Sequence, residues 1–140
     1  MKIEMENISK TYGSKHALQD IQLSIPPQSC YGLLGPNGAG KSTLMKILAG
    51  IVLDYSGEIV IDGQGLRKNL TPLQQRIGYV PQDISLEPTL SARDNLLFFG
   101  RMYGLSGSKL KEQVDKVLNI VGLSERQKDV ISKYSDKGRL

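Results

Sequence analysis

The sequence predicts an α/β fold in which a strand-rich first half is followed by a helical second half. Apolar and polar residues alternate near the N-terminus, which is the period of a half-buried strand. From Leu90 onward the apolar residues recur at helical spacing. The length of 140 residues, with 39% apolar and 23% charged residues, suits one globular core.

Three strands of an antiparallel ribbon are predicted in the first half. Residues 1–8 alternate in polarity, and residues 21–25 repeat the pattern before the break at Pro26. Residues 58–62 alternate again after a turn signal that contains Gly57. We expect the first two segments to pair with each other and the third to join them.

Two further segments are predicted as short strands. Residues 30–34 form an apolar run that meets Gly35, which is typical of a buried strand entering a glycine-rich loop, with Cys30 as a small apolar residue inside it. Residues 77–80 form another brief apolar run, which Pro81 stops.

One helix is predicted over residues 41–49. Leu44, Ile47 and Leu48 fall on one side of it, and Gly50 is placed as its C-terminal cap. The helix directly follows the glycine-rich loop.

Three helices are predicted in the second half. Thr89 is the expected cap of the first, Gly122 ends the second, and Ser124 with Gln127 suggests a capping box for a short third. The first two are expected to bury one apolar face each, formed by Ala92, Leu96, Phe99 and Tyr103 and by Leu110, Val114, Val117, Leu118 and Val121.

Composition excludes several classes of protein. Basic residues exceed acidic ones by 18 − 14 = 4, and they are scattered, which favours a mixed-charge surface over a nucleic-acid stripe. With one cysteine and one histidine, Cys30 and His16, the chain offers neither an internal disulfide nor a metal cluster, and both residues are interpreted as structural. We see no signal peptide and no run long enough to span a membrane.

The glycine cluster carries the strongest motif. Gly35-Pro36-Asn37-Gly38-Ala39-Gly40-Lys41-Ser42 fits the pattern G-x-x-x-x-G-K-[ST], between a predicted strand and a predicted helix. Glycines let successive backbone N–H groups point at phosphate oxygens, and the positive end of the helix adds to their field. Lys41 supplies a charge for the β- and γ-phosphates, and the Ser42 hydroxyl suits Mg²⁺.

The motif alone does not separate ATPases, GTPases and small-molecule kinases. Residues 54–57 match the D-x-x-G pattern of GTPases, but they follow a helix and no N-K-x-D occurs in the chain. Residues 59–62 could imitate the acidic strand end that holds Mg²⁺ in such proteins, but Gly63 follows where a catalytic glutamate is wanted. Both interpretations are disfavoured.

Residues 33–44 resemble the Walker A segment of ABC transporter ATP-binding domains, and the likeness runs from residue 1 to about residue 135. Tyr12, within Lys-Thr-Tyr-Gly, matches the family's aromatic residue that stacks on adenine. Residues 56–59 with Asp62 and Gly63 match the strand and turn after the loop helix. Residues 78–82 match the Q-loop, whose glutamine, here Gln82, touches Mg²⁺, and residues 89–97 resemble the helix that follows.

This resemblance implies an α/β P-loop NTPase core with an N-terminal antiparallel ribbon and a partial helical subdomain, incomplete at the C-terminus. The implied division is a core over residues 1–88 and the helical part over 89–140. ATP and Mg²⁺ are the implied ligands, with Ser42 and Gln82 at the metal. The implied nucleotide-binding residues are Tyr12, Gly35, Pro36, Asn37, Gly38, Ala39, Gly40, Lys41, Ser42, Thr43 and Gln82.

The resemblance also implies partners. A complete member pairs as a dimer of ATP-binding domains and drives transport through a membrane-spanning permease, without nucleic acid. It would lie on the inner face of the cell membrane, and residues 90–105 look most like exporter-type members.

Other parts of the family pattern are not found intact. Residues 134–138, Tyr-Ser-Asp-Lys-Gly, occupy the signature position, and we find no Walker B acid, catalytic glutamate or switch histidine. We therefore expect nucleotide binding without hydrolysis by this chain alone. The alternatives are a non-catalytic truncated product that binds nucleotide or docks on a permease and, less favoured, another P-loop NTPase or kinase.

Overall fold

A computed structural model describes residues 1–82 and 86–134. It contains four strands, four helices and one 3₁₀ turn, and the chain divides into two compact units, Met1–Val80 and Pro81–Leu140. The elements are β1 (Ile3–Tyr12), β2 (Lys15–Ile25), α1 (Lys41–Leu48), β3 (Ser56–Ile61), β4 (Gln64–Gly65), α2 (Leu70–Gln74), α3 (Ala92–Met102), α4 (Gly107–Ile120) and the 3₁₀ turn Ile131–Lys133.

The first unit is built on a four-stranded antiparallel sheet in the order β2-β1-β3-β4. Ile3 of β1 is the register partner of Ile25 on one side and of Ile61 on the other. The predicted three-stranded ribbon is therefore confirmed, because the alternating apolar residues give β1, β2 and β3 one common buried face.

Helix α1 covers that buried face. Its Leu44 and Ile47 are buried in the core of the first unit. The backbone N–H of Gly50, with φ of 70°, donates to the Ile47 carbonyl at 3.0 Å, so the predicted C-terminal cap is confirmed. The buried members of this core are Met5, Ile8, Leu18, Leu44, Ile47, Tyr55, Ile59, Ile61, Leu66 and Leu73.

The strands predicted over residues 30–34 and 77–80 are wrong. Both segments lack regular structure, Cys30 is exposed, and Leu34 and Val80 expose 95% and 87% of their surface. A buried strand needs hydrogen-bonding neighbours on both sides. In the part of the chain that the structure describes, the sheet pairs neither segment.

Two short elements of the first unit were not predicted. Helix α2 has only five residues and buries Leu73, and β4 contributes two residues beside β3. Both are too short to carry a periodic signal.

The second unit has a separate core between α3 and α4. The predicted face of α4 is largely confirmed, because Leu110, Val114 and Leu118 are buried, although Val117 and Val121 remain 37% and 50% exposed. The predicted face of α3 is wrong at Tyr103, which is 77% exposed. The core consists of Ala92, Leu110, Val114, Leu118, Ile131 and Tyr134.

Helix α3 is capped two residues later than predicted. Ser91 Oγ accepts from the Asp94 N–H at 3.0 Å and donates to Asp94 Oδ2 at 2.6 Å, whereas Thr89 donates to Glu87. The Ser-x-x-Asp spacing of a capping box at residues 91–94 was the sequence signal for this cap. The predicted cap at Thr89 is therefore wrong, and Ser91, which also carries a hydroxyl group, is the N-cap of α3.

The Asn95 side chain connects α3 to the segment before it through hydrogen bonds. This side chain is only 2% exposed, and its Oδ1 accepts from the Glu87 N–H at 2.8 Å. Its Nδ2 donates to the Glu87 carbonyl at 3.1 Å and to the Ser91 carbonyl at 3.0 Å. One amide thus satisfies three backbone groups.

The third helix predicted for the second half is wrong as well. Residues 124–128 form turns, in which Gln127 Nε2 donates to the Ser124 carbonyl at 2.7 Å, whereas a capping box needs this side chain to accept from the Ser124 N–H. Of the proposed signature segment, Tyr134 is buried, and residues 135–138 lie outside the described residues. No helix within residues 1–82 and 86–134 is both long and apolar enough to cross a membrane.

Candidate nucleotide-binding site

The glycine-rich loop turns sharply and then begins α1. Gly38 and Gly40 have φ of 83° and 85°, the left-handed region that glycine adopts at little cost. The Ala39 N–H donates to the Pro36 carbonyl at 3.2 Å, which closes the turn. Gly40 is the N-cap residue of α1 and offers no side chain to the helix.

The first turn of α1 therefore presents free hydrogen-bond donors. Across residues 1–82 and 86–134, no group accepts from the backbone N–H of Lys41, Ser42 or Thr43, and the first bond of the helix runs from Leu44 to Gly40. These donors lie at the positive end of the helix dipole. The arrangement fits a phosphate group, whose oxygens accept such bonds.

The Lys41 ammonium lies across the loop. It donates to the Gly35 carbonyl at 2.6 Å and to the Pro36 carbonyl at 2.7 Å. The charge of Lys41 is therefore held over the first residues of the loop, and the free donors lie at the loop's other end. The Ser42 side chain is exposed at the first turn of α1, as a ligand of Mg²⁺ would have to be.

Gly40 joins this loop to strand β2. A Cβ at Gly40 would lie 2.2 Å from the Ala17 carbonyl oxygen and 2.8 Å from Leu18 Cδ2. Only a residue without a side chain permits this approach. The loop is thereby seated on the β1–β2 hairpin.

The hairpin places Tyr12 on the same side as the loop. Tyr12 pairs with Lys15 across the ladder, and Lys15 Nζ lies 4.0 Å from the position of a Cβ at Gly38. The Tyr12 ring is 47% exposed, and Lys10 Nζ stands 4.7 Å from its centroid. The sequence pattern predicts the role of Tyr12 but of neither lysine, because the positions of the lysines depend on how the hairpin packs.

Lys10 is an unusually buried cation, with 7% of its surface exposed. Its Nζ donates to Asp54 Oδ2 at 2.8 Å, and this bond holds the pKa of the Asp54 carboxyl below its ordinary value. Asp54, the acid of the GTPase-like pattern, is therefore the ion-pair partner of Lys10, the lysine that also contacts the Tyr12 ring.

Asp62, the acid of the second disfavoured pattern, also has protein partners. Its carboxylate accepts from the Lys2 N–H at 2.7 Å and from Arg76 at 2.5 Å, and these two bonds lower its pKa. Asp62 thus ties the end of β3 to the N-terminus and to the chain after α2.

Two of the hollows among the described residues of the first unit can be compared with the loop. One of about 210 Å³ adjoins the loop at Ala39, Gly40 and Lys41 and is otherwise mainly apolar, with Leu18 and Leu33 among its lining residues. The other, of about 240 Å³, is lined by residues such as Tyr55 and Lys68 and contains no residue of the glycine-rich loop. The polar, open surface of the loop itself is the better match to a phosphate group.

Within the first unit, the structure places Tyr12 on the β1–β2 hairpin that the loop approaches at Gly38 and Gly40. Gln82 is exposed and belongs to the second unit. Its role at Mg²⁺ stays a prediction.

A loop that ends in Gly-Lys-Ser at the start of a helix, on an α/β fold, defines the class of P-loop nucleotide-binding proteins. A model of the ABC transporter family matches residues 18–138. Because this match covers most of the chain, the chain belongs to the ABC transporter family.

Curated relatives agree with this family. The linearmycin resistance ATP-binding protein LnrL of Bacillus subtilis (strain 168) is 45% identical over 133 residues, which are 95% of this chain and 43% of LnrL. The Nod factor export ATP-binding protein I of Cupriavidus metallidurans is 37% identical over 124 residues, which are 89% of this chain and 41% of that protein. The chain spans less than half the length of these two relatives.

A solved structure confirms the fold class. The ATP-binding subunit of an ABC transporter superposes with a TM-score of 0.79 at 25% sequence identity. The match covers 99% of this chain and 59% of that subunit.

Proposed function

We propose that this chain binds MgATP through its glycine-rich loop and forms part of the ATP-binding subunit of an export-type ABC transporter. The observation that carries the proposal is the free N–H group of each of Lys41, Ser42 and Thr43, held at the N-terminus of α1 beside the hairpin that carries Tyr12. The names of the relatives LnrL and Nod factor export ATP-binding protein I support ATP as the nucleotide, and the second name supports export as the process.

The loop backbone, Lys41 and Tyr12 have distinct roles in the proposed binding of ATP. The backbone of residues 35–43 surrounds the phosphates, and Lys41 exchanges its bonds with the Gly35 and Pro36 carbonyls for phosphate oxygens. Tyr12 supplies an exposed ring for adenine. Bound Mg²⁺ would neutralise charge on the phosphates, and Ser42 is the residue of the first unit that is proposed to hold it.

Membership of the ABC transporter family supports a proposal about the partners of this chain. We propose that the subunit pairs with a second ATP-binding domain and acts on a membrane-spanning permease at the inner face of the cell membrane. We propose that the permease determines which substrate is transported, since the nucleotide-binding fold does not itself specify a transported substrate.

Titration calorimetry with MgATP tests the nucleotide site. The protein should bind ATP, Lys41→Ala should weaken binding by about tenfold or more because it removes a charge-assisted contact, and Tyr12→Leu should weaken it by about fivefold. Tyr12→Phe keeps the ring and is the matched control. A folded protein that binds no ATP, or binds it equally well as Lys41→Ala, would contradict the proposal.

Hydrolysis is measured in the same samples. The expectation from the sequence is binding without turnover by this chain alone. Phosphate release above the buffer rate that disappears in Lys41→Ala would show instead that the chain completes the reaction.

A further inference from the structure

We propose that Lys15 is a second cationic ligand of the nucleotide phosphates, reaching the glycine-rich loop from the tip of the β1–β2 hairpin. This inference rests on the proposed function and adds a residue to the same site. The observation behind it is the separation of 4.0 Å between Lys15 Nζ and the Cβ position of Gly38. Because Gly38 has no side chain, nothing of its own stands between that ammonium and the loop backbone.

The place of Lys15 is determined by two fixed contacts. Lys15 is the ladder partner of Tyr12, and directly opposed residues of an antiparallel pair project to the same face of the ribbon. Two residues further along β2, the Ala17 carbonyl lies so close to Gly40 that an added Cβ would be 2.2 Å from it, so β2 and the loop are in direct contact. The root of the Lys15 side chain is thus held beside the loop on the face that carries the Tyr12 ring.

The ammonium of Lys15 is also available. Lys10 is paired with Asp54, and Lys41 donates to two loop carbonyls. Among the residues that the structure describes, no side chain or carbonyl accepts a bond from Lys15 Nζ, and the residue is exposed. A polyphosphate carries several negative charges, so a mobile lysine beside the loop can add to the charge of Lys41.

Competition against a fluorescent ATP analogue tests the proposal on the purified protein. The variants are Lys15→Gln, Lys15→Arg and the matched control Lys68→Gln, which removes the same charge from the hollow that contains no loop residue. Lys15→Gln should weaken ATP binding by about fivefold at low salt, and the loss should shrink as NaCl is added. Lys15→Arg should retain most of the affinity, and Lys68→Gln should stay within about twofold of the unsubstituted protein.

A comparison of ligands separates a phosphate contact from an indirect effect. Lys15→Gln should weaken ATP and ADP but leave adenosine unchanged. Equal losses for adenosine and ATP would overturn the phosphate assignment, because the residue would then act through its ladder partner Tyr12. Affinity of Lys15→Gln equal to that of Lys68→Gln would also overturn it.

The proposed function fails in a different pattern. If Lys41→Ala abolishes ATP binding while Lys15→Gln does not weaken it, the nucleotide site stands and the role of Lys15 falls. If the unsubstituted, folded protein binds neither ATP nor ADP, both proposals fall together.

Discussion

The contact between Gly40 and β2 predicts that Gly40→Ala destabilises the first unit. The new methyl group would lie 2.2 Å from the Ala17 carbonyl oxygen and 2.8 Å from Leu18 Cδ2. Non-bonded heavy atoms attract each other best at about 3.5–4.0 Å, so both distances are repulsive. The carbonyl belongs to a strand backbone and cannot rotate away as a flexible side chain would.

Two costs add up in this variant. The left-handed conformation at φ 85° costs an alanine about 1–2 kcal/mol. Relieving the overlap requires the loop to move off β2, which disturbs the packing of buried Leu18 at a cost of about 1–3 kcal/mol. We expect a loss of about 2–5 kcal/mol in the free energy of unfolding, a large part of what a small domain has.

Gly63→Ala is the matched control. Gly63 has φ of 78°, and nothing lies within 4 Å of its Cβ position, so only the conformational cost applies. Urea unfolding followed by far-ultraviolet circular dichroism measures both variants. A loss for Gly40→Ala that is within about 0.5 kcal/mol of the loss for Gly63→Ala would refute the steric reasoning.

Three further predictions concern the helical unit and the sheet. Ser91→Ala should cost about 1 kcal/mol in chemical unfolding because it removes the cap of α3, and Thr89→Ala should cost clearly less. Asn95→Leu should cost about 2–3 kcal/mol in the same assay, because it leaves buried backbone groups of Glu87 and Ser91 unpaired, and a loss near zero would contradict the role of this amide. The pKa of Asp62 is lowered in the folded state, so its carboxylate stabilises the fold above the ordinary value of 3.8, and this stabilisation is lost as the pH falls through the folded pKa. Thermal melting of Asp62→Asn should accordingly fall less between pH 5 and pH 2 than that of the unsubstituted protein.

Local signals in the sequence predict most of the loop and its surroundings. The glycine spacing, the amphipathic run 41–49 and the cap at Gly50 all act over a few residues, so the sequence alone identifies the turn and α1. The ribbon is predictable for the same reason, because the alternation over residues 1–8 and 21–25 indicates which face of each strand is buried.

Segments that depend on distant partners are not predictable in this way. The apolar runs 30–34 and 77–80 have the composition of strands. A strand also needs neighbouring strands that pair with its backbone groups, and a short run of residues does not indicate which segments those are. The environment of the candidate site is non-local for a similar reason. Lys15 and Lys10 are ordinary basic residues in the sequence, and only the folded hairpin shows that one faces the loop and the other is buried.

The candidate nucleotide site also depends on one close contact between two segments of the chain. The loop is proposed to bind phosphate and Tyr12 to bind adenine, and these two parts belong to segments more than twenty residues apart in the chain. Gly40 is where they meet, since its backbone rests on the Ala17 carbonyl of β2. A side chain at Gly40 would separate the hairpin, with Tyr12 and Lys15, from the loop even if every phosphate ligand within the loop remained. In Gly40→Ala we accordingly expect affinity for ATP to fall more than affinity for inorganic pyrophosphate, because the phosphate donors move with the loop while the ring of Tyr12 stays with the hairpin.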